Sequence, residues 1–277
     1  KELGENIKNK VFIRDPWRGE IRTNRFDSNF KFGYLNPSIP YQSLGFQMAF
    51  SRHDQGSFFG KRNYDINQNS FYSSLIYNSI IGSTLNKIKV GLNFSYDDFD
   101  EIVDQTKTLY NRIDNSIGGF FEYSYDSLDA VSVVAGIRYD IHNNLGSFFT
   151  PRFHLRYQPF EKSVLRLSAG TGRKSSNIFS ENQNIFTSGR QIKISKESGK
   201  FYGLDPEKAF NYGLSFRQGF FINNREGDIT FDYYVTDFEN QVIIDWETQG
   251  EVSFYNLDGK SFAKSLQIDL EYQISNN

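Results

Sequence analysis

The feature that most constrains this chain is a period-two alternation of apolar and polar residues that recurs from about residue 21 to residue 273. Between Val131 and Asp140 one face carries Val131, Val133, Ala135, Ile137 and Tyr139, and the other carries Ser132, Val134, Gly136, Arg138 and Asp140. Phe153, Leu155 and Tyr157 alternate with Arg152, His154 and Arg156, and Leu165, Leu167 and Ala169 alternate with Arg166, Ser168 and Gly170. The same rhythm runs through Ile88–Asp97 and Leu266–Ile274. Side chains of a β-strand point alternately to opposite faces, so this repeat is a strand signal. It places Val131, Val133, Ile137, Phe153, Leu155, Leu165, Leu167, Ile268 and Leu270 on one side, and Arg138, Arg152, Arg156, Arg166, Gln267 and Asp269 on the other.

Alternation alone fits a β-sandwich as well as a barrel, and three further features separate them. The alternating runs extend to about ten residues or more, the length a tilted strand needs to cross a bilayer and longer than the five or six usual in globular sheets. Rings gather at strand ends, as at Tyr123, Tyr125, Tyr139 and Tyr157, where an amphipathic ring suits the headgroup level. Short turns near Asn36–Pro40, Ile81–Asn86, Asp126–Asp129, Gln158–Lys162 and Asn223–Gly227 alternate with longer segments near Asp54–Asn67, Phe99–Arg112, Asn143–Phe148, Arg173–Asp205 and Glu247–Glu251. Short turns at one end and longer loops at the other are the pattern of an up-and-down membrane barrel. The expectation is one all-β unit over residues 1–277: an antiparallel, up-and-down transmembrane β-barrel segment of about 11 long strands. Residues 1–20 read as loop, a weak helical signal covers Ser175–Asn184, and the loop Arg173–Asp205 reads as the most mobile long segment, lying outside the cell.

Composition supports the barrel and removes several functions. Rings make up 17% of the chain, with 28 Phe and 17 Tyr against two Trp and one Met, yet the mean hydropathy is −0.56. That mixture suits a sheet wet on one side and apolar on the other. A net charge of −2 offers no basic excess to neutralise phosphates, so no nucleic-acid partner is expected. The absence of cysteine removes thiol catalysis and Cys-based zinc sites. No run of 18 apolar residues marks a helical membrane span. The opening Lys1-Glu2-Leu3-Gly4 is not a signal peptide, so any export signal is expected outside these residues. No nucleophile elbow, P-loop or His-Glu-x-x-His is present. Carboxylate pairs such as Asp97-Asp98 sit at loop mouths, without the cleft a glycosidase needs. No enzyme and no cofactor is expected. His53, His142 and His154 read as solvated polar residues; His142 and His154 flank one connection, but no further ligand completes a metal set.

The chemistry-bearing residues lie on the polar face and in the longest loop. Arg152, Arg156 and Arg166 form a lumen-facing row on two neighbouring strands. They serve either to salt-bridge carboxylates nearby or on a domain within the barrel, or to attract an anionic ligand. In the loop Arg173–Asp205, Arg173, Lys174 and Arg190 supply positive charge, and Phe179, Phe186 and Tyr202 supply rings for stacking. Loops on a rigid scaffold are where binding residues concentrate, so these six are the ligand-binding candidates. Trp17 and Trp246 read equally as ligand or membrane-interface residues.

Five segments resemble, in order, the barrel of TonB-dependent outer-membrane receptors of the Bacteroidetes type. Thr150-Pro151-Arg152 opens a strand as that family's TPR element does, and Leu165–Arg173 is similar to its arginine-led, glycine-rich strand. Gly203-Leu204-Asp205-Pro206-Glu207, leading to Asn211-Tyr212-Gly213, resembles its L-x-PE…NYE element. Tyr234-Val235-Thr236-Asp237-Phe238-Glu239-Asn240-Gln241 resembles its FYTDFxNQ strand, and Tyr255–Lys260 completes the set. The resemblance implies the middle and later portion of a barrel of about 22 strands. The plug domain, the TonB box and the terminal aromatic strand are not visible in these residues. The missing edges would come from the rest of a longer protein or from a second copy. It further implies an outer-membrane location, uptake of a scarce nutrient, and energy from the TonB-ExbB-ExbD system acting through the plug. A ferric siderophore or other metal chelate is the favoured ligand, with haem, cobalamin, copper and oligosaccharide as other possibilities in the family. A passive porin and a soluble all-β binding module are the alternatives.

Overall fold

A computed structural model describes residues 17–39, 41–103, 108–127, 130–195 and 201–274. Eleven strands form one sheet: β1 (Gly19–Leu35), β2 (Ser43–Phe59), β3 (Arg62–Ile81), β4 (Ser83–Val103), β5 (Thr108–Asp126), β6 (Val131–His142), β7 (Gly146–Phe160), β8 (Ser163–Lys174), β10 (Glu207–Ile222), β11 (Arg225–Glu239) and β14 (Ser261–Tyr272). Each pairs antiparallel with the next in that order, and β1 does not pair with β14. A second, three-stranded sheet is made by β9 (Gln191–Ile194), β12 (Val242–Asp245) and β13 (Glu251–Asn256).

The register turns the alternation into two faces. Tyr123, Ala135, Phe153, Ala169, Tyr212 and Val235 are successive cross-strand partners. So are Tyr125, Val133, Leu155, Leu167, Leu214, Tyr233 and Leu266. The intervening rows are polar, as in Lys89–Glu122–Gly136–Arg152–Gly170–Asn211. No second sheet covers the apolar rows among the described residues: Ile268 is 57% and Leu270 68% exposed. An uncovered apolar band of this extent belongs in lipid rather than water, which removes the soluble-module alternative. The polar rows face inward.

At the short-turn end, Asn223 and Asn224 hold φ of 53° and 59°, the left-handed pair that a two-residue hairpin requires. The β7–β8 hairpin shifts register between Tyr157 and Phe160, where Pro159 has no N–H to give a ladder.

The long-loop end departs from expectation. The segments Asp54–Asn67 and Phe99–Arg112 are mostly strand: β2 turns into β3 at Gly60-Lys61, β4 continues to Val103, and β5 starts at Thr108. The outward rows explain it. Above Phe50–Phe71–Tyr96 they become Arg52–Asn69–Asp98 and then Asp54–Asn67–Asp100. From Phe50 to Phe59 the strand climbs roughly 30 Å. The hairpin thus leaves the bilayer still paired, and its polar composition reflects water on the outward face rather than irregular backbone. The described residues of the Arg173–Asp205 segment, which exclude 196–200, are likewise structured. They hold a 3-10 helix at Ser180–Thr187, displaced from the expected Ser175–Asn184, together with β9.

Candidate functional site at the mouth and inner wall

The densest packing in the molecule lies at the long-loop end of the inner face. Tyr64, Ile66, Phe99 and Val103 project inward from β3 and β4 and are covered by Ile178, Phe179, Ile185, Phe186, Leu204, Val252 and Phe254. β13 joins the two covering segments, pairing antiparallel with β12 and parallel with β9 through Glu251↔Gln191 to Phe254↔Ile194. The result is a folded cap seated on the inner wall of β2–β5. A long loop can be ordered here because its apolar residues bury against an inward-facing apolar patch, which offsets the entropy of fixing the chain.

Polar contacts within this core fasten the cap to the wall. Glu101 is 2% exposed and accepts a hydrogen bond from the Tyr64 hydroxyl at 2.8 Å and another from the Tyr202 hydroxyl. A carboxylate taken from water needs such donors. Burial, reinforced by the negative charge of Glu101, pushes the Tyr202 hydroxyl well above the usual phenol range, so it remains a donor. Beside it, the Arg112 guanidinium pairs with Asp114 at 2.8 Å, donates to the Asn177 side-chain oxygen, and lies over the rings of Phe99 and Phe201 at 4.5 and 5.2 Å. Asp114 also accepts from the Asn144 amide at 2.7 Å. Arg112 therefore ties β5 to the cap.

Three of the six ligand-binding candidates are committed to holding this cap, and a fourth to its inner turn. Phe179 is 0% and Phe186 1% exposed; both stack among Tyr64, Tyr202 and Phe59, so neither ring face is free for a ligand in this arrangement. Tyr202, with φ of 57°, packs edge-on to Phe179 and Tyr110 and binds Glu101. Arg190 donates to the backbone oxygens of Trp246, Thr248 and Glu251 at 2.7, 3.3 and 3.2 Å, closing the β12–β13 turn. Arg173 and Lys174 stay exposed at the rim. Arg173 lies over the Phe148 ring at 4.7 Å, and Lys174 pairs with Glu181 at 2.7 Å. Trp246 stacks with Arg190, and Trp17 lies against Gly60. His142 and His154 do not converge: their partners on the neighbouring strand are Gly146 and Val134, at opposite ends of the β6–β7 pair.

Sequence reading missed Glu101, Arg112 and Asp114. Their signal was present as inward parity on β4 and β5, but it disappears once Phe99–Arg112 is read as loop.

Arg152, Arg156 and Arg166 occupy the uncapped wall. All three face inward, with Arg156 and Arg166 directly opposite each other and Arg152 on the Gly136–Gly170 row.

A family model described as TonB dependent receptor-like, beta-barrel matches residues 4–276. A search of curated proteins returned no match. Among solved structures, the chain resembles the hemophore receptor HasR of Serratia marcescens in complex with HasA and heme, at 12% identity and a TM-score of 0.67, covering 92% of this chain and 47% of that one. It resembles the copper transporter OprC at 11% identity and 0.65, covering 92% and 44%. It also resembles the siderophore receptor PirA from Pseudomonas aeruginosa at 14% identity and 0.56, covering 90% and 51%. The chain thus spans about half the length of these solved receptors, and at such identities the likeness is one of fold. The match over nearly every residue, the eleven-stranded up-and-down sheet and the lipid-facing band agree: this chain belongs to the TonB-dependent receptor family, as part of its outer-membrane β-barrel.

Proposed function

We propose that the protein carrying this chain imports a scarce nutrient across the outer membrane, with a ferric siderophore or other metal chelate as the ligand and TonB-ExbB-ExbD as the energy source. The observation that carries this reading is the folded cap. A passive pore needs an unobstructed lumen, whereas here part of the inner wall is covered at its outer end by a packed core that includes Phe179, Phe186, Val252 and Phe254. An occluded mouth suits a transporter that captures its ligand and spends energy to pass it on. The siderophore receptor PirA among the solved relatives favours a chelate. Arg173 and Lys174, exposed at the rim beside the cap, are the residues of this chain best placed to meet an anionic chelate first.

Deleting residues 182–200 tests the reading. This removes Ile185, Phe186 and β9 while the flanking strands keep their register. The barrel is expected to fold, judged by heat-modifiable migration, and growth on a ferric siderophore as sole iron source is expected to fall at least tenfold. Chelate-dependent growth equal to wild type, together with a large steady conductance of the unmodified protein in planar bilayers, would favour a porin instead.

A further inference from the structure

The inner wall carries two kinds of arginine. Arg25, Arg112, Arg138 and Arg217 each hold a carboxylate, from Asp27, Asp114, Asp140 and Asp228 respectively, and Lys89 holds Glu122. Arg152, Arg156 and Arg166 hold none among the described residues; Arg156 donates only to Gln158. The nearest acid on the Arg166 row is Asp232, two strands away beyond Ser215, about 10 Å at ordinary strand spacing, and the two form no ion pair. Glu122, two strands from Arg152 beyond Gly136, is taken by Lys89.

The arrangement is unfavourable as it stands. Arg156 and Arg166 are direct cross-strand partners, and like charges in that position repel. By contrast, the single inner-wall lysines Lys31 and Lys87 face Gln47 and Ser124. Between the two arginines and the next strands lies a hollow of about 250 Å³ lined by Ser132, His154, Arg156, Arg166, Ser168 and Tyr234. The Tyr234 ring lies against the wall at Gly213, where an added Cβ would meet it at 2.1 Å. Glycine there lets the ring lie down and bound the hollow rather than fill it. The site is distinct from the mouth: Arg166 is seven residues along β8 from Arg173, about 23 Å of strand, toward the short-turn end.

We propose that Arg156 and Arg166, with His154 and Tyr234, form an oxyanion site on the inner wall that takes carboxylate groups. The guanidinium forks match a carboxylate in bidentate fashion, and Ser132 and Ser168 offer hydroxyl donors. The carboxylates have two possible sources with this one chemistry: a dissolved polycarboxylate in the lumen, or acidic side chains of a protein segment within the barrel. Either would relieve the Arg156–Arg166 repulsion.

The test compares the melting of the full receptor in detergent for wild type and R156Q/R166Q, with citrate as the probe. If a dissolved anion binds, about 10 mM citrate raises the wild-type midpoint by about 2–4 °C and leaves the variant unmoved. If the protein's own carboxylates fill the site, citrate moves neither, the variant melts lower, and the gap narrows as salt rises from about 0.05 to 0.5 M. Any of three results overturns the proposal: a variant as stable as wild type with no citrate response, a citrate response equal in both, or a lower midpoint indifferent to salt. Should R156Q/R166Q fail to assemble, R166K keeps the charge while losing the fork, and it is read for the same citrate and salt responses. Growth on iron chelates is not part of the readout, so failure of the uptake reading leaves this test intact.

Discussion

The wall of β2–β5 and the wall of β6–β8 are built from the same alternating strands, yet their inner faces have opposite characters. On the first, inward positions near the mouth are Tyr64, Ile66, Phe99 and Val103, and a cap folds onto them. On the second, inward positions are His154, Arg156, Arg166 and Ser168, and none of the described residues covers them. Parity fixes which residues face the lumen; chemistry decides whether that surface is covered by the chain itself or left for something else. The difference also divides the charges. Arg112 on the capped wall is enclosed and paired, with its side chain and that of Asp114 about one-tenth exposed, whereas on the open wall Arg138 holds Asp140 but Arg152, Arg156 and Arg166 hold no carboxylate among the described residues. The capped wall is thus covered by segments of this chain, whereas no described residues cover the wall of β6–β8.

The largest expected effect breaks the first half of this comparison. Arg112→Ala leaves Asp114 buried without its cation and removes the contact to Asn177. Breaking one side of a buried pair costs about 3–5 kcal/mol. The cost should fall on the cap, because the apolar band of the barrel is untouched. Hydrogen exchange is expected to speed up through Ser180–Thr187 and Glu251–Asn256 while the β6–β8 strands stay protected. Uniform loss of protection across both walls would mean that the cap is not a separate unit.

How the chain divides in this way was only partly legible in the sequence. The faces were, because a period of two admits a single partition and the observed register keeps it from Lys89 through Asp269. The cap was not. Phe179 and Phe186 announced themselves as rings in a long loop and invited a ligand-stacking role, but their partners are Tyr64, more than a hundred residues earlier, and Phe254, some seventy later. No local period encodes such contacts. β9, β12 and β13 have four, four and six residues, too short to carry a pattern, and β9 joins β13 in parallel across a wide gap in sequence. The extension of β2–β5 beyond the membrane was missed because polar composition reads as loop unless the inward parity is followed further.

A second prediction sharpens the open half of the comparison. Leu167 and Ser168 are neighbours on β8 that face lipid and lumen respectively. An arginine on the lipid face near the bilayer midplane costs about 2–4 kcal/mol, and one facing a wet lumen costs far less. Leu167→Arg is therefore expected to reduce the yield of heat-modifiable barrel sharply. Ser168→Arg should assemble, although it adds a fourth cation to a wall already carrying Arg152, Arg156 and Arg166. Equal yields from the two would show that the β8 wall is not lipid on one side and water on the other.

The smallest effect concerns how the cap is fastened. Tyr202 lies in the turn Phe201–Leu204 and gives its hydroxyl proton to Glu101. Tyr202→Phe removes one of two tyrosine donors from a buried carboxylate and leaves the Tyr64 bond at 2.8 Å, so a loss of about 1–3 kcal/mol of cap stability is expected. The pH dependence follows from the raised folded pKa of Tyr202, caused first by burial and then by Glu101. A group raised on folding contributes stability that is fully present below its unfolded pKa, about 10 for tyrosine, and is lost only as pH climbs through the higher folded value. The cap should therefore hold through the range near pH 10 in which a phenol free in water ionises. Ultraviolet titration of wild type minus Tyr202→Phe isolates this residue: the difference is expected to show no phenolate absorbance near pH 10, appearing only at higher pH together with faster proteolysis of the cap. A phenolate step at pH 10 in that difference would mean that Tyr202 is open to water, and the Glu101 fastening of the cap to its wall would have to be abandoned.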